Sequence, residues 1–236
     1  MKTISVIIPA YNEEKRLPKT LKKWQNFLSH NINADFKITE IIIVDDGSTD
    51  ETVRMAEAFK NNLPIKIVEI KPNKGKGNAV RAGVKQAIGD FIFIYDADAA
   101  VLPEELNKLL AQTGNADVII GSRTAKDSKT EMSLMRRIVG ICFHIFCYPL
   151  LPNIKDASCG AKLLKTDCAK KIFGLQKINR FAFDIEILWI ARKLNLKIKE
   201  VGIEWKEISG SKVRIFKDGI EMFISVLSLY KRALLG

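Results

Sequence analysis

An α/β architecture, with a mainly parallel central sheet and helices on both faces, follows from three features of the 236-residue sequence. Short β-branched runs alternate with helix-length amphipathic stretches through the first half. The run Ile41-Ile-Ile-Val44 is apolar throughout, as a strand covered on both faces should be. Two runs end in acids, Asp45-Asp46-Gly47 and Asp96-Ala97-Asp98, and ligand sites of such sheets lie at the carboxyl ends of strands.

The elements follow in order. Residues 4–10 read as a strand, and a helix starts near Glu13, with Leu17, Leu21, Trp24 and Leu28 on one face. After the second strand at 41–44, Ser48 and Asp50 are candidate caps for the next helix. Residues 65–70 give a third strand, 77–88 a helix, 91–95 a fourth strand and 117–121 a fifth. The second half loses this rhythm. A hydrophobic helix is predicted over 131–148, a loop over 152–159, a strand at Ala161-Lys-Leu-Leu164, a helix over 183–194, a strand over 198–205 and a last helix. With no Pro-, Gly- or Ser-rich linker and no repeat, residues 1–236 are expected to form a single domain.

Composition narrows the function. Hydrophobic residues at 47% and charged ones at 28% exclude disorder. Four cysteines without a CxxC pair read as a reduced, intracellular set. The formal charge of +11 asks for an anionic partner: nucleic acid, an acidic membrane face or a phosphorylated substrate. Aromatics are only 8% and sit in apolar strands and helices, which excludes a base-stacking nucleic-acid module. No secretory leader is read at the amino terminus. The apolar run 138–151, which contains His144 and Pro149, is too short for a bilayer span. The expectation is a soluble protein or one lying on a membrane.

Asp96 and Asp98, as alternate residues of an extended segment, can converge on one hard divalent cation and leave positions open for a diphosphate. The stretch Lys71-Pro-Asn-Lys-Gly-Lys-Gly-Asn-Ala-Val-Arg81 is basic, with Gly75 and Gly77 just before a helix start. Exposed N–H groups there favour an anion. Its spacing fits neither a dinucleotide fingerprint nor a P-loop, and a solvated loop is the plain alternative.

Together these stretches resemble glycosyltransferase family 2, whose inverting enzymes share the GT-A nucleotide-diphospho-sugar transferase fold. The matching segments are Val6-Ile-Ile-Pro-Ala-Tyr-Asn-Glu-Glu14, Val44-Asp-Asp-Gly-Ser-Thr-Asp50, Asn73-Lys-Gly-Lys-Gly-Asn-Ala79 and Asp96-Ala-Asp98. Gly121-Ser-Arg123, Asp156-Ala-Ser-Cys-Gly-Ala-Lys162, Arg180-Phe-Ala-Phe-Asp-Ile-Glu-Ile-Leu188 and Glu204-Trp-Lys-Glu-Ile-Ser-Gly-Ser-Lys212 extend the likeness to the dolichyl-phosphate β-glucosyltransferases. The dolichyl-phosphate mannose synthases are close relatives.

The resemblance implies three segments: a nucleotide-sugar half over 1–122, an acceptor half over 123–212 and an amphipathic helix over 213–236. It implies that Asp45 holds the nucleotide, helped by Pro9, Tyr11 and Glu13, with Lys76 and Ala97 close by. Asp96 and Asp98 would hold Mg2+ or Mn2+ on the diphosphate. Arg123 and Arg136 would face a polyprenyl (dolichyl) phosphate, and Ser211 and Lys212 would close over the diphosphate. The catalytic set would be Asp98, Arg123 and Lys212. Mannose synthases of this group often carry Gln two positions after the second acid, where this chain has Ala100, so glucose from UDP-glucose is favoured over mannose from GDP-mannose.

A phosphate acceptor, with a second pKa near ~6, is already largely ionised and needs arginines more than a base. A glycan or glycolipid hydroxyl would need a general base, for which Asp156 or Asp184 are the candidates, a structural acid being the other reading of each. The last helix carries Arg214, Lys217, Asp218, Glu221, Ser225, Ser228 and Arg232 on one stripe, with Phe216, Ile220, Phe223, Ile224, Leu227 and Leu234 opposite. With the apolar 131–151 stretch it suggests a cytoplasmic enzyme held peripherally on a membrane surface. A separate protein supplying a membrane anchor is a possible partner.

Overall fold

The computed structural model describes residues 1–30, 35–208 and 215–235, without the side chains of residues 136, 215–218 and 235. The first half is built as the periodicity predicts. It runs β1 (Lys2–Ala10), α1 (Leu17–His30), β2 (Phe36–Asp45), α2 (Thr52–Glu57), β3 (Ile65–Glu69), α3 (Lys76–Gln86) and β4 (Phe91–Ile94). A 3-10 turn at Pro103–Glu105 leads into α4 (Leu106–Leu110), then β5 (Val118–Ser122), β6 (Lys129–Glu131) and α5 (Leu134–Cys147). The chain closes with β7 (Lys162–Lys165), α6 (Thr166–Leu175), α7 (Phe183–Lys193), β8 (Ile198–Gly202), β9 (Glu204–Lys206) and α8 (Ile215–Leu235).

Seven strands form one sheet in the order β3-β2-β1-β4-β7-β5-β8. Strands β3, β2, β1 and β4 run parallel, β7 is antiparallel to both β4 and β5, and β8 is parallel to β5. The reversal of β7 decides where chemistry can happen. Its amino end lies beside the carboxyl ends of β4 and β5, so residues 156–162 meet the acids that follow β4. Strands β6 and β9 form a separate parallel ribbon.

Each face of the sheet carries a core. Trp24 of α1 packs edge-on against Phe93 and Tyr95, at 6.2 and 5.2 Å between ring centroids. That face also gathers Ala56 of α2 and Leu106, Leu109 and Leu110 of α4. The opposite face is covered by α3, α6 and α7, with Val226 and Leu229 of α8.

Several expectations are corrected. Helix α1 starts at Leu17 rather than near Glu13, because residues 12–14 are tied to the loop after β2. The Asn12 N–H donates to Ser48 Oγ at 2.8 Å, that of Glu13 to Thr52 Oγ1 at 2.6 Å and that of Glu14 to Asp50 Oδ2 at 3.2 Å. Those bonds also occupy Ser48, so α2 has no side-chain cap from it, while Asp50 accepts from the Thr52 N–H at 3.0 Å. Residues 129–131, predicted as helix, form β6, and the expected strand 198–205 divides at Ile203. Helices α4 and α6 were not predicted.

Helix α8 packs through Val226 and Leu229 together with polar contacts, and leaves much of its apolar stripe outside. Arg232 pairs with the buried Glu186 of α7, and Glu221 lies 3.1 Å from Arg180. Ile220, Phe223, Ile224, Leu227 and Leu234 are exposed. Phe146 of α5 stacks on Phe223 at 4.2 Å, joining this surface to Leu134, Ile138, Ile141 and Ile145, which are also exposed. Among the described residues no helix is long and apolar enough to cross a membrane. Of the polar and apolar stripes read in the sequence, Arg214 lies outside the described residues, as do the side chains of Phe216, Lys217 and Asp218.

Candidate active site

The acids after β4 sit in a turn fixed from several sides. β4 ends at Ile94, and the Ala99 N–H reaches the Asp96 carbonyl at 3.4 Å. Asp96 and Asp98 therefore meet across a turn, and the alternation expected of an extended segment does not apply. Ala99 takes a positive φ of 52° to close it. Thr20 Oγ1 donates to the Ala97 carbonyl at 2.6 Å, the buried Tyr95 hydroxyl donates to the Val101 carbonyl, and the Lys206 N–H of β9 donates to the Ala100 carbonyl at 2.9 Å.

Cations surround the two carboxylates. Lys76 Nζ lies 2.6 Å from Asp96 Oδ1, and Arg16 lies 3.9 Å from Asp98 while forming a two-point pair with Glu13. On its own, burial would raise the Asp96 pKa; Lys76, Lys162 and Arg123 outweigh it and hold the group below the usual carboxylate range. Asp98 goes the other way, pushed up by burial and by the charge of Asp96. Burial opposes the charge of Lys76 as well, and Asp96, Asp184 and Asp98 override it, so its ammonium is held above its ordinary pKa. Gly160 closes the cluster. A Cβ there would lie 2.2 Å from Asp96 Oδ2, so only glycine lets this backbone rest on the carboxylate.

The neighbouring loops are built on Asp45 and Asp46. Asp45, buried at the end of β2, accepts the Ser48 N–H at 3.1 Å. Asp46 accepts the N–H groups of Lys74 at 3.0 Å and Gly75 at 2.6 Å. The Asn78 N–H donates to the Asn179 carbonyl at 3.0 Å. These bonds narrow the anion cradle expected before α3: Asp46 takes the amides of Lys74 and Gly75 and Asn179 that of Asn78, and the loop brings the Lys76 side chain to the acids.

On the far side, Arg123 grips Asp156 through Nε and Nη2, both at 2.7 Å, and its own N–H adds a third bond at 2.8 Å. The guanidinium stacks over Trp205 at 5.5 Å. Burial works to raise the Asp156 pKa, but Arg123 outweighs it and depresses the group, which makes Asp156 a poor proton acceptor. Cys159, beside them, is a thiol rather than a thiolate, its pKa pushed up to about 12 by burial and by Asp156. Asp184 is bonded at 2.5 Å to the fully buried Lys162.

Comparison with known proteins gives this arrangement a family. The family description "Glycosyl transferase family 2" matches residues 5–173. A dolichyl-phosphate β-glucosyltransferase of Dictyostelium discoideum is 37% identical, over 99% of this chain and 75% of its own. The chain belongs to glycosyltransferase family 2. The mouse protein of the same name is 36% identical over 100% of this chain and 77% of its own. Among solved structures, glucosyl-3-phosphoglycerate synthase from Mycobacterium tuberculosis, in complex with Mn2+, UDP-glucose and phosphoglyceric acid, superposes with a TM-score of 0.71. It is 19% identical, over 96% of this chain and 77% of that one, which establishes the GT-A fold.

In this glycosyltransferase the structure brings Asp96, Asp98, Lys76, Arg123, Asp156 and Asp184 into one charge cluster. Pro9 lies near the end of β1, Asp45 ends the adjacent β2, Tyr11 is exposed and Glu13 is engaged by Arg16. Ser211 and Lys212 lie outside the described residues, and so does the side chain of Arg136. Sequence reasoning missed Arg16, Gly160 and Lys162. The last two fall in the stretch Asp156–Lys162 that carried the family likeness, which was their only signal.

The Arg123–Asp156 pair has a pH signature. Asp156 ionises at lower pH folded than unfolded, so its stabilisation is complete above the ordinary carboxylate pKa of about 4 and is lost as pH falls through the lower, folded value. Asp156→Asn is expected to lower the melting temperature at pH 7 and to give a shallower fall between pH 5 and 3. Thermal melts across that range check it, and parallel acid limbs for the two proteins would refute it.

Proposed function

We propose that this family 2 enzyme transfers glucose, with inversion, from UDP-glucose to the phosphate of dolichol or a related polyprenol, working peripherally at a membrane surface. The whole-chain similarity to dolichyl-phosphate β-glucosyltransferases carries the reading. The site supports it: two acids ringed by cations suit a nucleoside diphosphate, and the half-buried Arg123 guanidinium beside them suits an acceptor phosphate.

Asp96 and Asp98 fit a divalent cation, Mg2+ or Mn2+. Both supply hard oxygen donors, and the buried Asp96 Oδ1 is held ionised by the Lys76 ammonium 2.6 Å away. Among the described residues no three His, Cys, Asp or Glu side chains are grouped so as to hold a metal ion by themselves. Two carboxylates with phosphate oxygens completing the shell are enough for such ions. When bound, the ion supplies positive charge against the departing diphosphate. Lys76 adds a second fixed charge there, and Arg123, with Arg136, orients the acceptor oxygen. Ser211 and Lys212 are assigned to the diphosphate, and Pro9, Tyr11, Glu13, Asp45 and Ala97 to the nucleotide side.

The engagement of both candidate bases favours a phosphate acceptor over a hydroxyl. Asp156 is committed to Arg123 and Asp184 to Lys162. An acceptor that arrives ionised needs neither. The apolar face shared by α5 and α8 would place the site at a lipid surface, where polyprenyl phosphates reside.

Radiolabelled transfer is the test, with UDP-glucose and GDP-mannose in parallel, Mn2+ present, and dolichyl phosphate included or omitted. Label is expected in the lipid phase from UDP-glucose alone, and the protein is expected to float with vesicles. Lipid label from GDP-mannose instead would replace the sugar assignment. No lipid product, with UDP-glucose still bound, would overturn the acceptor.

A further inference from the structure

Lys162 is the first residue of β7, wedged between Ile94 of β4 and Ile120 of β5, and it is 0% exposed. A buried ion pair is a weak source of stability, since well-packed apolar side chains in its place are often as good or better. The use of this ammonium is therefore sought in what it holds. It donates to the Cys159 carbonyl and, at 2.5 Å, to Asp184 Oδ1. The residue after that anchored carbonyl is Gly160, whose backbone lies directly on the Asp96 carboxylate.

Asp184 stands in the first turn of α7, and the same turn supports the opposite side of the cluster. A Cβ on Gly77 would come within 2.6 Å of the Phe183 Cβ, so the start of α3 is pressed against α7. Lys76, in that α3 start, lies 6.0 Å above the Phe183 ring and reaches Asp96 at 2.6 Å. Asp96 is thus clamped between Gly160 and Lys76, and both sides of the clamp rest on Phe183 and Asp184.

We propose that Lys162, backed by Asp184, is a positioning residue for the acidic pair: it fixes the Cys159–Gly160 backbone against Asp96 and so sets how tightly the pair holds a divalent cation. The inference deepens, and rests on, the assignment of Asp96 and Asp98 to that cation. Neither Lys162 nor Asp184 touches the reacting atoms. Asp184 then acts as the partner of a lysine, not as a base.

Mn2+ alone is the probe, its binding to the whole chain followed by loss of the free-ion EPR signal. Lys162→Met/Asp184→Leu removes both charges together and leaves no unpaired ion in the core. It is expected to melt within a few degrees of wild type and to bind Mn2+ about 10–100-fold more weakly, the usual cost of losing an outer-shell support. At saturating Mn2+ most of kcat should return, with the Mn2+ concentration at half-activity raised. Asp184→Asn, which keeps the shape, should show a smaller loss in the same direction and carries the test if the double variant does not fold. Unchanged Mn2+ affinity in a folded variant overturns the positioning role while leaving the cation assignment standing. Failure of the wild-type protein to bind Mn2+ removes that assignment and the positioning role with it.

Discussion

Gly160→Ala is expected to reduce sugar transfer roughly a hundredfold or more while leaving the fold intact. The new methyl would need the space now held by Asp96, 2.2 Å from Oδ2 and 2.4 Å from Cγ. The Gly160 backbone cannot retreat easily, because the preceding carbonyl is bonded to Lys162 and the next residue leads into β7 between two strands. The carboxylate is the softer partner, so it is the group that turns away. A displacement of about 1 Å at a reacting centre costs on the order of 10²-fold, and this one moves the carboxylate whose other oxygen, Oδ1, is buried against Lys76. No backbone strain is added, since Gly160 is not among the glycines with positive φ. Melting curves of the variant should lie close to wild type while Mn2+ binding and transfer collapse together. A variant with near-normal turnover would show that Asp96 tolerates another rotamer, and its place in the site would have to be reassigned.

This close approach marks what could and could not be seen before the structure. Asp45, Asp96 and Asp98 were visible because each follows an apolar run, and the end of such a run is local information. Strand direction is not: nothing in Ala161-Lys-Leu-Leu164 distinguishes parallel from antiparallel, yet the reversal of β7 is what carries Cys159, Gly160 and Lys162 to the acids. Helix α6 escaped prediction because Thr166 begins it immediately after β7, with no loop to mark the change. The basic loop before α3 misled for a related reason. Its glycines and lysines advertise an anion site, but Asp46, 28 residues before Lys74, and Asn179, 101 residues after Asn78, take up three of its amides. Lys162 is the clearest case. A lysine in a short strand reads as an edge residue, and its burial against Asp184 depends on a partner 22 positions away. Local pattern thus located the acids, and long-range pairing decided which cations serve them.

Arg123→Ala is expected to produce two separable losses. The first is stability: the variant leaves Asp156, 6% exposed, as a buried carboxylate without its counter-ion, an error worth about 3–5 kcal/mol. The second is transfer to polyprenyl phosphate, which should fall much further than UDP-glucose binding does. Asp156 engages only two of the five guanidinium N–H donors and, together with Trp205, fixes the plane of the group. The remaining donors are therefore pre-oriented for a phosphate, and an arginine fixed in this way loses little freedom on binding one. The paired Asp156 also cancels most of the formal charge, so the acceptor is held by directed hydrogen bonds more than by long-range attraction, and moderate salt should affect it little. The double variant Arg123→Ala/Asp156→Ala separates the effects, because it removes the orphaned charge along with the arginine. Its melting temperature should recover much of what Arg123→Ala loses, whereas its lipid transfer should stay at the level of the single variant. Recovery of both would reduce Arg123 to a structural counter-ion and leave the acceptor phosphate to other cations. Recovery of stability alone, with UDP-glucose still bound, assigns the phosphate to Arg123.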